Sequence, residues 1–163
     1  MFKKILIPVD GSDLSTRACG AGIQLAKELN AAVVFLNATA PYIMPYASDV
    51  ALMDDTTQKL FEDEVKREST ELLDSTKRLA NGAGLTSVCV SSVHSRPEVL
   101  IEETVKQLGC DLVVIATHGR GAVARLVMGS VTTRLLAISP VPVLIYRDAA
   151  IDAGDAGSAV AAT

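Results

Sequence analysis

The stretch that decides the fold is DLVVIATHGRGAVARLVMGSVTTRLL, residues 111–136. It opens with an unbroken apolar run at 112–116, which predicts a strand buried on both faces. Gly119 then opens a loop, and after Gly129 and Ser130 the apolar residues recur at helical spacing. Glycine lets backbone amides approach a ligand, and a helix start presents unpaired N–H groups with a partial positive charge. Strand, glycine loop and helix start together predict a binding site for an anion, and specifically for phosphate.

Outward from this stretch, segments typical of strands and helices alternate along the chain. Such alternation predicts an α/β fold, with a parallel sheet covered by helices on both faces. Ligands of such sheets lie beyond the carboxyl ends of the strands, where the strand order reverses. If the first and fourth strands are central neighbours, Asp10 and the glycine loop meet at one crevice. The predicted strands are 3–9, 32–38, 86–93, 111–116 and 141–146, and the predicted helices are about 13–29, 56–83, 98–108 and 131–138.

The same residues resemble the universal stress protein family, in its ATP-binding subgroup. The family's nucleotide signature is a glycine, two residues, a glycine, nine residues, then Gly-Ser or Gly-Thr. Gly119, the nine residues 120–128, Gly129 and Ser130 keep that spacing. The resemblance, which includes IPVDGS near the start, covers residues 1–147. It implies a single domain with a Rossmann-like, adenine nucleotide alpha hydrolase-like sheet of order 3-2-1-4-5, and a homodimer joined through the last strand.

The resemblance also implies a site for ATP, with the Mg²⁺ that accompanies it. The carboxylate of Asp10 would accept hydrogen bonds from the ribose hydroxyls, and the backbone of Ala38 would meet adenine. The residue types also suit a nucleotide on chemical grounds. Backbone amides and a hydroxyl can bind the phosphate anion, and a carboxylate placed away from the phosphate can bind the ribose hydroxyls. The nucleotide-binding residues implied are Pro8, Val9, Asp10, Ala38, Ala116, His118, Gly119, Arg120, Gly129, Ser130 and Val131.

Ala116 departs from the signature, because nucleotide binders of the family have glycine at that position. Its methyl could crowd a phosphate or the ribose. The sequence therefore leaves open a dimeric interaction module that has lost the nucleotide. Asp10 could merely close an Asx turn or cap the first helix, and Ser130 could be an N-cap only.

Enzymatic alternatives rest on weaker matches. Residues 119–124 match GxGxxA of dinucleotide-binding enzymes, but they follow the fourth strand, and no acidic residue ends a strand about 20 residues on. DGSDLS only loosely resembles the loop of an adenylating PP-loop enzyme, and no Walker-type GxxxxGKS or GxxxxGKT occurs. His94 and His118 accompany no recognisable nucleophile motif. The expected activity is at most slow ATP hydrolysis, with no catalytic residue assigned.

Composition limits the remaining classes. The chain has 163 residues, enough for one domain, and a net charge of −4 with no Trp, which disfavours a nucleic-acid binder. No apolar run approaches the roughly 20 residues of a membrane span, and a cytoplasmic protein is expected. The three cysteines are interpreted as buried free thiols.

Two further segments carry predictions. The stretch from 39 to 55 contains two prolines and is predicted to be a long irregular loop, which a bound nucleotide could order for a protein partner that the sequence does not identify. Residues 148–163 are predicted to form a disordered tail without chemistry, because they offer little to bury.

Overall fold

The computed structural model describes residues 1–41, 55–117 and 128–147. The described elements alternate as predicted, and their ends lie within two residues of the predicted ones. In chain order they are β1 (Lys4–Pro8), α1 (Asp13–Leu29), β2 (Ala32–Thr39), α2 (Asp55–Gly82), β3 (Ser87–Val93), α3 (Pro97–Leu108), β4 (Leu112–Ala116), α4 (Ser130–Ile138) and β5 (Val143–Tyr146).

The five strands form one parallel sheet with the order β3-β2-β1-β4-β5. The predicted fold class and strand order are therefore confirmed. From β1 the chain first builds outward through β2 to β3, and it then returns to place β4 and β5 on the other side. The order thus reverses between β1 and β4, which makes this pair the switch point of the sheet.

Each central strand is buried on both faces because helices cover both sides of the sheet. Ile5 and Ile7 pack in one core with α1 and α2, while Leu6 between them packs in a second core with α3 and α4. Successive side chains of a strand point to opposite faces, so two cores need apolar residues at every position. This explains the unbroken apolar runs in the sequence.

Helix α1 has both of its predicted ends. The Ser12 Oγ accepts a hydrogen bond from the Ser15 N–H (3.2 Å), and Asn30 ends the helix in the left-handed conformation at φ 52°. On its inner face, Gly22 lies so close to the sheet that a Cβ there would stand 2.6 Å from the Ile7 Cδ1. The helix therefore packs tightly against β1, the strand that leads to the crevice.

Apolar residues that recur at helical spacing in 56–83 predict an inner face of α2, and this prediction is wrong in part; the residues are Phe61, Val65, Leu72, Leu79 and Ala83. Among the residues expected inside, Phe61 is exposed and Leu79 is 54% exposed. Two polar side chains occupy core positions instead, because their hydroxyls are hydrogen bonded: Ser69 Oγ lies 2.7 Å from Ser91 Oγ, and Thr76 Oγ1 donates to a backbone carbonyl one turn earlier (2.9 Å). The buried residues of this helix are Ser69, Leu73, Thr76 and Ala80.

Three predicted features fall outside the described residues. They are most of the long loop, at 42–54, the glycine loop at 118–127, which contains His118, Gly119 and Arg120, and the tail at 148–163.

Candidate functional site

A crevice opens at the carboxyl edge of the sheet, where β1 and β4 separate. The register of these two strands covers Ile5 with Leu112 and Leu6 with Val113, and the space beyond has a volume of about 250 Å³. The residues that line the crevice are Pro8, Val9, Asp10, Ser15, Leu36, Ala38, Pro97, Ile101, Ile115, Ala116, Val131 and Thr132.

Several of the predicted nucleotide residues come together here, although they are far apart in the sequence. The crevice gathers Pro8, Val9, Asp10, Ala38, Ala116 and Val131 from the predicted set. Six lining residues were not in the predicted set: Ser15, Leu36, Pro97, Ile101, Ile115 and Thr132. Pro97 could have been predicted from the sequence, because it begins the helix that follows the third strand. In a parallel α/β sheet such helices begin at the edge of the sheet that binds ligands.

Asp10 is held by the turn that leads from β1 into α1. Its Oδ1 accepts hydrogen bonds from the Ser12 N–H (2.9 Å) and the Ser12 O–H (2.7 Å), which is an Asx turn. Its own N–H donates to the Ser15 Oγ (3.2 Å), and Gly11 makes the turn possible at φ 78°. A carboxylate has two oxygens with about four acceptor sites, so the turn and a ligand contact are compatible.

The start of α4 differs from the prediction in one respect. Gly129, at φ −60° and ψ 151°, is the N-cap, so Ser130 is the first helical residue and not the cap. Glycine has no side-chain oxygen, and among the residues that the structure describes no side chain caps this helix. Its first N–H groups therefore present their partial positive charge without a built-in acceptor.

Backbone hydrogen bonds hold the end of β4 against the start of α4. The Gly129 N–H donates to the Thr117 carbonyl (2.8 Å), and the Thr132 Oγ1 donates to the Ala116 carbonyl (2.9 Å). The Thr117 N–H in turn donates to the Tyr146 carbonyl of β5 (3.0 Å). The uncapped helix start is thus fixed at the crevice by contacts within the fold.

The methyl of Ala116 packs against α1. It forms a small buried cluster with Leu14 and Ala18, and Tyr146 packs beside them. Because side chains alternate along β4, Ala116 shares the α1 face with Val114, whereas Ile115 faces α3 and α4. The methyl that breaks the signature therefore points away from the wall that α4 contributes to the crevice.

A buried carboxylate joins the two helices on the α4 side. The Glu98 Oε1 lies 3.1 Å from the Arg96 Nε and 3.9 Å from the Arg134 Nη1. Burial alone would raise the pKa of Glu98, but hydrogen bonds from its own backbone amide and from Arg96, with the positive charges of Arg134 and Arg96, hold the pKa below its ordinary value. Glu98 is therefore ionised at neutral pH and ties α3 to α4.

The cysteines are free thiols. Burial raises the pKa of Cys19 to about 12 and that of Cys110 to about 11, so both stay protonated at neutral pH. The prediction of buried free thiols is confirmed for these two, while Cys89 is only half-buried.

The described ranges, 1–41, 55–117 and 128–147, lack two kinds of feature. No group there of three or more His, Cys, Asp or Glu could hold a metal ion. Over the same ranges, no helix is both long enough and apolar enough to cross a membrane.

Fold and site together define an α/β protein with a ligand crevice at the switch point of an open parallel sheet. The model of the universal stress protein family matches residues 1–147. A universal stress protein of Methanocaldococcus jannaschii, MJ0531, is 31% identical over 147 residues, which cover 90% of this chain and 83% of that protein. This chain belongs to the universal stress protein family.

Solved structures share the fold. The universal stress protein UspA from Lactobacillus plantarum superposes with a TM-score of 0.77 at 20% identity, over 90% of this chain and 98% of that one. A universal stress protein in complex with cAMP superposes with a TM-score of 0.66 at 25% identity, over 90% of this chain and 97% of that one. An Arabidopsis thaliana family member with AMP bound has a TM-score of 0.64 at 16% identity, over 91% of this chain and 94% of that one. The Archaeoglobus fulgidus universal stress protein in complex with dAMP has a TM-score of 0.59 at 15% identity, over 90% of this chain and 98% of that one.

Proposed function

We propose that the crevice binds an adenine nucleotide, ATP with its Mg²⁺, and that the nucleotide-loaded protein acts in the cytoplasm as a dimeric regulator of the stress response. The observation that carries the proposal is the pairing of two walls across the switch point. Asp10 stands on one wall, and the first turn of α4, with Val131 and Thr132, stands on the other, directly after the N-cap Gly129. A sugar phosphate offers its hydroxyls to the Asp10 carboxylate and its anionic phosphate to the start of α4.

The α4 wall suits the phosphates. The partial charge of a helix start favours an anion, and the N-cap here brings no carboxylate or hydroxyl of its own to compete for the first amides. Ser130 adds an exposed hydroxyl in the first turn, and Val131 lines the crevice beside it. His118, Gly119 and Arg120 remain part of the proposal on the strength of the sequence signature.

The backbone of Ala38 suits the edge of a base. The Leu36 carbonyl accepts a hydrogen bond from the Val9 N–H (2.8 Å), so the polar groups of Leu36 face β1. The polar groups of successive residues in a strand point to alternate sides, so those of Ala38 face the same side. The register with β1 ends at Leu36 and Pro8. The Ala38 N–H and carbonyl therefore point into the crevice, where a base could meet them.

The ligands of structural neighbours support an adenine nucleotide. The cAMP, AMP and dAMP in their complexes share an adenine base, a sugar and a phosphate. The packing of Ala116 against α1 supports retention of nucleotide binding despite the departure from the signature. Binding would stabilise the native state by about 2.7 kcal/mol when the nucleotide is at 100 times its Kd. In this proposal the nucleotide stabilises or signals and is turned over slowly or not at all.

The first test is calorimetric titration of the nucleotide-stripped protein with Mg-ATP, using Gly129→Asp as the variant. Aspartate is a favoured N-cap and the φ of Gly129 is negative, so the helix should form normally. Its carboxylate would compete for the first amides and repel phosphate. We expect micromolar binding by the wild type and at least a tenfold loss in the variant, about 1.4 kcal/mol.

Gly129→Asn is the matched control. Asparagine caps a helix about as well as aspartate and has nearly the same size, but it carries no charge. It should keep most of the affinity that Gly129→Asp loses. If the wild type binds no adenine nucleotide, the crevice is closed to it, and the interaction module becomes the better description.

A further inference from the structure

The β3 edge of the sheet differs from the edges that proteins usually leave open. The strand reads SVCVSSV and contains no charged residue and no proline. Its register with β2 is continuous from Ser87 to Val93, so no bulge interrupts that range. Val88 is 50% exposed and Val93 is 60% exposed. Charges, proline and bulges are the features that keep an edge strand from pairing with another chain. This edge is therefore suited to pairing with a further strand.

The backbone groups that face outward from β3 belong to alternate residues. The Thr86 carbonyl accepts a hydrogen bond from the Val33 N–H of β2 (3.0 Å). The His94 N–H donates to the Thr39 carbonyl of β2 (2.9 Å), so the even-numbered residues turn their polar groups to β2. Polar groups of successive residues point to alternate sides. The residues with outward N–H and carbonyl groups are therefore Ser87, Cys89, Ser91 and Val93.

Antiparallel pairing of β3 with a second copy of itself matches these groups. In an antiparallel pair, opposite residues alternate between exchanging both backbone hydrogen bonds and exchanging none. A two-fold axis at Val90 sets Ser87 opposite Val93 of the second copy. It likewise sets Cys89 opposite Ser91, so every outward-facing residue meets another one. The strand is thus complementary to itself over all of its 7 residues.

A row of exposed residues on α2 borders this edge. The α2 row consists of Glu62, Lys66, Thr70, Asp74 and Lys77. Its first three members share a groove of about 810 Å³ with residues 91–93 of β3. The last two lie near Cys89: burial raises the pKa of this thiol, while Lys77 lowers the pKa and Asp74 raises it. Charges of both signs therefore stand along the whole length of the strand.

The α2 row runs antiparallel to β3. Ser69 Oγ lies 2.7 Å from Ser91 Oγ. One turn further along the helix, the Leu73 carbonyl accepts a hydrogen bond from the Cys89 thiol (3.7 Å), which lies earlier in the strand. Thr70, in the middle of the row, is therefore level with the middle of β3.

The two-fold axis at Val90 consequently sets the row against its own reverse. Lys66 comes opposite Asp74 of the second copy, and Glu62 comes opposite Lys77. Each charge meets a charge of the other sign, whereas like charges there would repel. Any extended segment could satisfy the backbone of β3, but this order of charges favours a second copy of the same chain.

We propose that β3 is a self-association surface on which two copies of this chain pair antiparallel about Val90. A strand of this length spans about 23 Å and offers a narrow strip, which places the contact among weak interfaces of less than about 1,200 Å². Its Kd is expected at roughly 0.1–1 mM, so the pairing forms at millimolar and not at micromolar protein. It is separate from the expected dimer through β5 and from nucleotide binding. Where both edges pair, dimers join into an open row.

The first test is a disulfide trap of the register in a Cys89→Ser background. Opposite residues of a pair without hydrogen bonds have Cα atoms about 4.5 Å apart, a distance that a disulfide spans. Val90→Cys should therefore form a covalent dimer on mild oxidation at millimolar protein. Val88→Cys is the control: Val88 is exposed and Val90 only half-buried, but across the axis Val88 lies roughly 14 Å along the strands from its counterpart. It should crosslink at least about fivefold more slowly.

The second test reverses a charge of the α2 row, on exposed side chains that the fold does not need. In sedimentation equilibrium, Lys66→Glu should weaken association at least about threefold, because it faces Asp74 of the second copy. Lys66→Glu combined with Asp74→Lys should restore the wild-type constant, since the pair is again opposite in charge. Lys27→Glu makes the same charge change on the exposed side of α1 and should leave association unchanged.

The wild type alone already tests the proposal, because its weight-average mass should rise between micromolar and millimolar concentration. A constant mass over that range overturns it. Equal crosslinking rates of Val88→Cys and Val90→Cys overturn it as well, and so does a loss in Lys66→Glu that Asp74→Lys does not repair. None of these results bears on nucleotide binding, which the titration with Mg-ATP decides.

Discussion

At the scale of single residues, the carboxylate of Glu98 contributes to stability through its charge. Its pKa is held below the ordinary value of 4.5 by Arg96, Arg134 and a backbone amide, against the opposing effect of burial. A lowered pKa in the folded state means that stabilisation is complete above the unfolded pKa and is lost as the pH falls through the folded one. Glu98 should therefore stabilise the protein at neutral pH and progressively less below about pH 4.5.

Glu98→Gln tests this pH dependence. At pH 7 the variant should lose about 1–3 kcal/mol of unfolding free energy, because the buried site keeps its shape but loses a charge-assisted hydrogen bond. At pH 4 the gap between the two proteins should narrow. Urea denaturation at both pH values measures it. Glu64→Gln, which removes a carboxylate from the exposed pair with Arg67, should change little at either pH. A gap of equal size at both pH values would contradict the electrostatic account.

The direction of individual side chains could not be predicted from the sequence. Ala116 ends a strand that is apolar on both faces, so no alternation of polar and apolar residues shows which way its methyl points. Only the packing against Leu14 and Ala18 shows that the methyl faces α1. Asn37 is a similar case: its Nδ2 donates to the Val9 carbonyl (2.7 Å), and a polar residue near the end of an apolar strand does not reveal that partner in the sequence.

At the scale of elements, the sequence was informative wherever side-chain chemistry is local. Ser12 and Asn30 mark the ends of α1 because capping depends on a few adjacent residues. The buried face of α2 was partly mispredicted because it includes the hydroxyls of Ser69 and Thr76, whose hydrogen-bond partners become visible only in the structure. Periodicity of apolar residues is a poor guide where hydroxyls occupy the core.

The contact between α1 and β1 allows a prediction that compares two glycines of the same helix. In Gly22→Ala the new methyl would stand 2.6 Å from the Ile7 Cδ1 and 3.2 Å from its Cγ1, in a fully buried core. Overpacking of this kind should cost about 1–3 kcal/mol of unfolding free energy. In Gly20→Ala nothing lies within 4 Å of the new methyl, so the higher helix propensity of alanine should add about 0.5–1 kcal/mol. Urea denaturation of both variants measures the difference, and equal stabilities would show that Ile7 moves aside freely.

At the scale of the whole molecule, the alternation of strands and helices was enough to predict a parallel sheet, but not the order of its strands. All the central strands have similar apolar runs, so any of them could pair with any other. The order was expected from the family resemblance, and the structure confirms it. The crevice depends on this order, because it brings together residues from β1, β2, β4 and three helices that are far apart in the chain.

The same order leaves β5 and β3 as the two edges of the sheet, and the proposed dimer uses only the β5 edge. An edge strand offers unpaired backbone groups to a second copy, and Leu144 on β5 is 41% exposed. We expect Leu144→Asp to convert the dimer into a monomer, because the interface would have to bury a charge.

Val88→Asp is the matched control, since Val88 is 50% exposed on β3 and lies on the opposite edge. Sedimentation velocity at micromolar concentration should find Val88→Asp dimeric like the wild type. A monomeric wild type would refute the dimer, and dissociation by Val88→Asp alone would move the interface to the β3 edge.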